Sequence, residues 1–579
     1  LDAEIKSLYQ RAGIAHVLAI SGLHISLLGM GLYRLLRKRL HTRYVTAVLA
    51  TTVFLISYAV LSGNGVSTQR AVGMCLIYLF ADVTGYAYDM LNALGIVVLV
   101  LLWENPFLLS YSGFVFSVMA VIAIGVGANV LLEWEHSWKR RQQAGEETIK
   151  KTFFSRQKEG ILVSFAIQLF TIPLVAYSYY EIPVYAMLIN LFVLAVVNGL
   201  LGLTVLGVIV GMAFLPAGRV LFAPCGWMLD SYRFLCEVSL KIPGAQRITG
   251  KPAHIRIFWY YLGLGVFLLA IYACARRNEK HKDCRETADL CVSRRKKRLQ
   301  GIVFSCFIAF LLLFLLFPQK KSFEIDFLDV GQGDGIYLCT GGGTSMFIDG
   351  GSTDVKQVGK YRILPFLKAK GVSEISYWFV SHTDTDHVSG LKEVLVSGYR
   401  VEYLVFAKAV EKEAKTKELA ELARSHGTKV LYMQAGDTVR SKRAAMRCLY
   451  PKASDKAEDV NDLCLVLQFE EGDIRALFGG DISTDVEEQL SRREKWDKVL
   501  IFKADHHGSR YANAEALLKC IRPEITVASA GKDNRYGHPS PDAVQRIKES
   551  GSRFFCTIEG GRIRVRVIEN KLVCETYVK

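Results

Sequence analysis

The sequence predicts a polytopic α-helical membrane domain followed by a soluble αββα domain, two sheets flanked by helices. Three observations predict it. Long uncharged runs crowd the chain before Phe317. From Lys321 onward the pattern changes to short strand-like runs, Gly turns and interleaved helices. At the ends of those strands sit carboxylates and imidazoles, the first group packed into Ser381–Gly390, "SHTDTDHVSG". At 579 residues the chain exceeds one compact domain. Its hydrophobic share, 51%, is ordinary for a globular protein, so the distribution rather than the total carries the membrane reading.

Tyr44–Gln69 runs 26 residues without a charge, Asn105–Leu132 runs 28, Ile161–Tyr180 runs 20, Ile182–Gly218 runs 37, Ile257–Ala275 runs 19 and Gly301–Phe317 runs 17. A membrane helix needs about 20 mostly apolar residues. The 37-residue run has room for one tilted span or two short ones. Ala12–Tyr33, Ala71–Ala81 and Met90–Trp103 fit spans, half-helices or helices at the interface. The expected total is roughly seven to ten membrane segments. "FLLLFLLF" in the last run opposes the rival reading, buried helices of a soluble protein.

Orientation follows from Arg276–Arg298, which holds ten Lys/Arg and four acids. A loop that basic between two spans belongs on the cytoplasmic side. Gly301–Phe317 then crosses outward, and the chain after Pro318 lies outside the plasma membrane. The expected domains are membrane helices over 1–275, a basic cytoplasmic loop over 276–300, a last span over 301–317 and a soluble domain over 318–579. Lys139–Lys158 is a second basic loop, diluted by acids. The chain opens on Leu1 with no signal-type cleavage site ahead of an apolar core, and reads as a piece of a longer or processed chain. None of the 13 cysteines forms a C-x-x-C pair, so a zinc ribbon or redox motif is not expected. A disulfide among the six after Pro318 stays open if that domain is outside.

In the soluble part, "FEIDFLDVG", "GIYLCT" and "TSMFIDGG" are strands, "EISYWFVSH" is a strand entering the quoted loop, and "KEAKTKELAELARSHG" is a helix with a Gly stop. "LCLVLQFEEGDIRALFGGD" is a hairpin whose second strand ends at Asp481, and "KVLIFKADHHGS" is a strand entering a His loop. His382, Asp384, Asp386 and His387 fall within six positions, with Asp481, His506, His507 and His538 following in order. Imidazoles and carboxylates at strand ends form a mouth suited to two divalent ions, the arrangement that hydrolyses phosphodiesters. The alternative for the hexad alone is a solvated polar loop.

This pattern resembles the metallo-β-lactamase fold, whose first motif is H-x-H-x-D-H. Asp384 stands where the second His is usual. A separate His before Asp481 is not evident, and His426 lies in that interval on a Lys-rich, helix-like stretch. A carboxylate in place of an imidazole favours the harder Mn²⁺ over Zn²⁺. "DFLDVGQGDGIYL", "MFIDGG", "SHTDTDHVSGL", "FGGD" and "KADHHGS" together resemble the tail of the ComEC family, the DNA-uptake channels of competent bacteria. "RAGIAHVLAISGLH", "STQRAVGM", "SGFVFSVMAV" and "TIPLVAYSYYEIPVYAMLINLFV" resemble that family's membrane motifs in the same order. Members usually carry an N-terminal region with a small β-barrel ahead of the first motif, and this sequence does not include it.

The resemblance implies that His382 and Asp384 hold one of two divalent ions, Asp386 and His387 the other, with Asp481 bridging. One of His506 and His507, with His538, completes the site. The other of the His pair donates a proton to the leaving oxygen, so Asp386, His506 and His507 are the expected catalytic group. Asp329, Asp334 and Asp349 are expected to order loops. Lys503 and Ser509 flank the His pair as phosphate contacts or as surface residues. In the membrane part Ser21, His24, Arg70 and Asn190 are candidates for lining a path, each also explained as a helix–helix hydrogen bond.

The implied function is DNA internalisation, with an outside metal-dependent nuclease degrading one strand of a duplex and a membrane channel passing the other. The implied partners are DNA, membrane lipid and other DNA-uptake proteins. The chain has no G-x-x-x-x-G-K-[ST] loop, so any cytoplasmic motor is a partner. Oligomeric state is not legible. The rivals are a membrane-tethered phosphodiesterase acting on lipid or cell wall, and a channel whose metal domain is not catalytic. The net charge of +16 adds little, because the basic loop's surplus is explained by membrane orientation.

Overall fold

The computed structural model describes residues 3–14, 22–142, 153–280, 287–317, 321–457, 459–569 and 571–578. It divides into two compact units, Leu1–Phe317 and Pro318–Lys579.

The first unit is helical. Among the described residues, Tyr44–Leu61, Ser112–Trp138, Lys158–Tyr179, His254–Arg277 and Arg295–Leu316 are long and apolar enough to cross a membrane, and Met90–Glu104 and Gly199–Ala213 are shorter apolar helices. On Tyr44–Leu61, Ala47, Leu55 and Ala59 are buried while Leu49, Val53 and Val60 stand exposed. A helix apolar on every side suits lipid on its outer face. The basic segment Arg276–Arg298 is helical at both ends rather than a loop, because one helix runs His254–Lys280 and the next Thr287–Leu316. Lys and Arg are good helix formers, so charge there does not end a helix. A short antiparallel pairing joins β1 (Glu181–Pro183) to β2 (Gln246–Ile248).

The second unit is built on two sheets. Its strands are β3 (Glu324–Phe327), β4 (Gly335–Cys339), β5 (Ser345–Asp349), β6 (Glu374–Phe379), β7 (Arg400–Ala407), β8 (Lys429–Met433), β9 (Thr438–Ser441), β10 (Ala444–Tyr450), β11 (Val466–Glu471), β12 (Ile474–Phe478), β13 (Ile501–Lys503), β14 (Ile525–Ala528), β15 (Arg553–Cys556), β16 (Ile563–Ile568) and β17 (Lys571–Thr576). One sheet has the order β17-β16-β3-β4-β5-β6-β7-β8, the other β15-β14-β13-β12-β11-β10-β9.

Period-two alternation explains how the sheets stack. On β4, Ile336 and Leu338 enter the core between the sheets, while Tyr337 and Cys339 face the outer layer. Phe327, Met346, Ile348 and Phe379 of the first sheet meet Met446, Leu467, Phe469, Phe478 and Ile501 of the second in that central core. Outside the first sheet, Phe347 and Trp378 pack with Leu391, Val394 and Leu395 of the helix Thr385–Val396. Outside the second, Leu477 and Phe502 pack with Leu490 of Thr484–Arg493 and Leu517 of Glu515–Ile521. The layers are helix, sheet, sheet, helix, as expected from the sequence. Both faces being covered, the inner strands are buried along their whole length.

Each sheet changes direction once. β5 is antiparallel to β4 and parallel to β6. β12 is antiparallel to β11 and parallel to β13. The loops leaving β5, β6, β12 and β13 therefore flank two switch points, where an α/β sheet opens a crevice at its carboxyl edge. The loops of the first sheet touch backbone to backbone. Asp334 N donates to Asp386 O (3.1 Å), and Gly351 N donates to Asp334 O (3.0 Å). A Cβ on Gly351 would lie 2.4 Å from Thr385 O and 2.5 Å from the Asp386 carbonyl carbon.

Gly351→Ala is expected to force these loops apart, since backbone cannot yield as a flexible side chain does. The second unit should lose about 1–3 kcal/mol, the usual cost of overpacking, seen as a lower thermal unfolding midpoint of the chain in detergent. An unchanged midpoint would mean that the loops have room the close contacts deny.

Candidate metal centre

β6 ends at Phe379, and the chain turns through Val380–Asp384 into the helix Thr385–Val396. Asp386 and His387 thus lie in the first turn of a helix rather than on a loop. A carboxylate there is favoured by the positive end of the helix dipole. Asp384 occupies the N-cap position without a capping bond from its side chain. Its carboxylate instead accepts from Lys415 Nζ at 2.8 Å. β12 stops at Phe478, and Gly479 and Gly480 turn the chain to Asp481, Gly480 with a φ of +69°. After β13, His506 and His507 both adopt positive φ, 50° and 54°. That left-handed backbone is uncommon for residues with a Cβ and is tolerated where the surroundings enforce it.

These elements bring the ligand-type side chains into one cluster. Asp334, His387, Asp481 and His507 are all buried, and each offers a ligand atom within 4.8 Å of the others. Asp481 Oδ2 lies 3.4 Å from His387 Nε2 and 3.4 Å from His507 Nε2. Asp386 Oδ2 is 3.6 Å from His507 Nε2, and His506 Nε2 is 3.8 Å from Asp481 Oδ2. The His382 ring is 4.0 Å from that of His387, and its Nε2 is 3.9 Å from Asp384 Oδ2. The His538 ring lies 5.6 Å from His506 and 6.3 Å from His507.

Outer partners fix the rings. Asp349 accepts from Ser381 N (2.7 Å) and Ser381 Oγ (2.8 Å), and its Oδ2 meets His387 Nδ1 at 3.0 Å. His507 Nδ1 meets Ser529 O at 2.9 Å. A carbonyl oxygen only accepts, so Nδ1 of His507 carries a proton and Nε2 is the nitrogen aimed at the cluster. The same logic applies to His387 against the Asp349 carboxylate. A histidine held by a carboxylate or carbonyl in this way is the ordinary support of a metal-ligating imidazole. His387 Nε2, His507 Nε2 and Asp481 Oδ1 are buried without a hydrogen-bond partner. Such atoms are costly unless something binds them.

Charge points the same way. Asp334, Asp349 and Asp481 are buried, and Lys503 is buried among them. Its ammonium contacts Asp334 Oδ2 and stands 4.0 Å from Asp481 Oδ1. Three carboxylates against one ammonium leave two negative charges to balance. Burial opposes the charged form of His387, but Asp481 and Asp349 overrule it and raise the ring well above its ordinary pKa. Burial likewise opposes His507⁺, and Asp481 with Asp334 raises it. Two ring protons thus supply the missing charge, and a divalent cation fits in their stead. By contrast, burial, with His387 adding to it, pushes His382 down to about 4, and burial with His507 does the same to His538. Behind the cluster, burial and the charge of Glu487 raise Asp505 well above the carboxylate range.

Not every candidate joins the cluster. Asp329 is half exposed and pairs with Arg362 Nη1 at 2.9 Å. Ser509 is buried, its Oγ accepting from Tyr511 N at 3.3 Å. His426 is exposed beyond the helix Ala414–Ser425, with Nδ1 at 2.9 Å from Leu422 O. In the first unit Arg70 is buried, donating from Nε to Ser117 Oγ (2.7 Å) and from Nη1 to Met74 Sδ (3.2 Å). Asn190 Oδ1 is buried without a hydrogen-bond partner, and His24 is half-buried in the turn Gly22–Ile25. Ser21 lies outside the described residues. The six cysteines after Pro318 are free thiols.

Three features were not legible beforehand. Lys503 is neither a surface residue nor open to phosphate. Its strand is buried on both faces, so alternation gave no sign of where it points. Asp334, expected to order a loop, stands in the cluster itself. Cys464 Sγ lies 3.4 Å from His382 Nδ1 and accepts from Asp481 N at 3.5 Å, so a thiol occupies the neighbourhood where a further histidine was sought.

Residues 1–273 match the model of a family described as Competence protein. Over 98% of its length the chain is 26% identical to ComE operon protein 3 of Bacillus subtilis, covering 69% of that protein. Over 99% of its length it is 25% identical to Recombination protein 2 of Haemophilus influenzae, covering 70% of that protein. Among solved structures, the metallo-β-lactamase fold protein YhfI from Bacillus subtilis aligns with 42% of this chain and 100% of its own, at 12% identity and a TM-score of 0.30. Residues 1–273 are thus similar to competence proteins, and the two relatives extend that similarity over nearly the whole chain.

Proposed function

We propose that the chain internalises DNA across the plasma membrane during natural transformation, and that its second unit is a metal-dependent nuclease that degrades one strand while the first unit passes the other. The observation that carries this is the buried Asp/His cluster, with unpartnered ligand atoms, on the same chain as a competence-type membrane unit. The basic segment Arg276–Arg298 supports a cytoplasmic turn before the last span, and so a second unit outside. There the partner is duplex DNA, and single strand is in transit. Arg70, buried in an apolar helix, supports a polar path through the first unit.

In this reading Asp386, His387, Asp481 and His507 would hold a divalent ion, and His382 and Asp384 would help to hold a second. The carboxylate-rich set favours Mn²⁺ over Zn²⁺. Ions bound here supply Lewis acidity to the phosphodiester and lower the pKa of water. The chain's own groups do the rest. Asp349 and the Ser529 carbonyl hold the two rings by Nδ1 so that Nε2 faces the cluster. His506 is the more open of the pair, with a side chain 32% exposed. Burial lowers its pKa, so at neutral pH its free ring nitrogen is suited to accepting a proton rather than donating one. Lys415 pairs with the half-exposed Asp384, so a second ion there would have to compete with an ammonium.

The direct test is cleavage of end-labelled single- and double-stranded DNA by the full chain in detergent, with Mn²⁺, Zn²⁺, Mg²⁺ or EDTA. Metal-dependent cleavage that His387→Ala abolishes is the expected result. A folded, metal-loaded chain that leaves DNA intact would sink the nuclease reading and favour a non-DNA phosphodiester.

Metal binding should also release protons. In the metal-free chain the neighbouring carboxylates raise His387 and His507 above their ordinary pKa and favour their protonated forms. An incoming ion displaces those protons, so affinity rises with pH until the rings have lost them. His382 and His538, near 4, are already neutral and add nothing. Calorimetry in buffers of different ionisation enthalpy measures the protons released, and affinity independent of pH would contradict the charge balance. Asp349→Asn removes the carboxylate behind His387 and should weaken metal binding about 10–100-fold, read by titration with a metal indicator.

A further inference from the structure

Two Arg–Tyr dipeptides stand on the two loops that carry the histidines of the mouth. Arg510 and Tyr511 follow His507 by three and four positions, and Arg535 and Tyr536 precede His538 by three and two. All four are exposed, Tyr511 at 72% and Tyr536 at 48%. Core packing therefore does not account for either tyrosine.

The second pair is rigidly mounted. Asn534 Nδ2 donates to Gly531 O (2.8 Å) and His538 O (2.6 Å), and its Oδ1 accepts from Tyr536 N (3.2 Å) and His538 N (2.9 Å). Gly531 N donates to Gln332 Oε1 at 3.2 Å, anchoring the loop to the β3–β4 connection that carries Asp334. On this frame the Tyr536 ring stacks on His538, with centroids 5.6 Å apart and planes at 22°. The Arg535 guanidinium lies 4.7 Å from the Tyr536 ring centre. Arg535 Nη2 donates to the Tyr536 hydroxyl. A flat aromatic surface and a guanidinium are thus fixed one ring away from the cluster's outer histidines.

We infer that Arg535 and Tyr536 form a nucleobase-stacking platform at the mouth of the metal centre, taking an unpaired base next to the phosphate at the centre. This rests on the nuclease reading. Bases of any sequence stack on an aromatic face, and arginine adds cation–π attraction and a partner for the backbone phosphate. A base inside a duplex has both faces covered by its neighbours, so the platform selects single strands and frayed ends. A lipid or cell-wall phosphodiester has no base to place there.

The test compares an intact single-stranded oligonucleotide with versions carrying one abasic site at successive positions, using the full chain in detergent with Mn²⁺. Cleavage kinetics are read in parallel with fluorescence anisotropy in EDTA. For the unsubstituted chain, an abasic site at one position should raise KM about tenfold, within the range measured for base–aromatic stacking. Tyr536→Ala should raise KM on the intact strand by a similar factor and make intact and abasic strands equivalent. Tyr536→Phe should preserve the discrimination. Arg535→Gln, which removes the guanidinium that donates to the Tyr536 hydroxyl but keeps the aromatic ring, should weaken it, a second route if Tyr536→Ala does not fold. A folded Tyr536→Ala that still discriminates overturns the platform, as does cleavage with the same KM wherever the abasic site is placed, and both leave the nuclease standing. Absence of cleavage alongside base-dependent binding that Tyr536→Ala abolishes keeps the platform and removes the nuclease.

Discussion

Lys503 leaves β13 of one sheet and sets its ammonium against Asp334, which leaves the β3–β4 connection of the other. Each charge is almost wholly buried. Either alone in that place would be prohibitive, and together they hold the carboxyl edges of two sheets against one another. Burial works against the Asp334 carboxylate, yet Lys503 and the nearby His507 keep it well below its ordinary range. Around this pair the rest of the centre is arranged. Asp481, on the neighbouring strand end, comes within reach of the same ammonium, and the loop bearing Asp386 is pinned to Asp334 through its backbone.

One ammonium does not neutralise the pocket. That imbalance links fold to chemistry, because a divalent cation would balance it in place of ring protons. The positions follow from topology. The candidate ligands stand just past β6, β12 and β13, where each sheet changes from antiparallel to parallel pairing. Loops diverge there, and side chains from separate segments can meet. The positive φ at His506 and His507 belongs to the same constraint, turning two adjacent histidines to different tasks, one inward and one at the mouth.

The centre also has an asymmetry. His387 and His507 are locked from behind by a carboxylate and a carbonyl, whereas Asp384 is half exposed and held by Lys415. Ligands prepared in advance bind more tightly than ligands that must be recruited. The two halves of the cluster therefore differ in how firmly their side chains are held. On the membrane side, polar groups such as Arg70 and Asn190 are buried among apolar helices, where their cost marks them for either packing or passage.

The sequence by itself determined the division near Phe317, the membrane character of what precedes it, the layered soluble unit after it, and the candidate ligand types His382, Asp384, Asp386, His387, Asp481 and His538, with the choice between His506 and His507 left open. Each of these is a local property: an uncharged run, an alternation of period two, a cluster of donors at the end of an apolar strand. Tertiary structure decided the rest. That Lys503 is buried on Asp334 depends on two residues 169 positions apart in the chain meeting across two sheets. That His507 faces inward and His506 outward depends on a left-handed backbone no neighbouring residue announces. Asp334 joins the cluster, and Asp329 five residues earlier does not, because only the close backbone contact with Asp386 carries the former inward. Charge balance, tautomer and access are properties of neighbours in space, and a linear pattern records neighbours only along the chain.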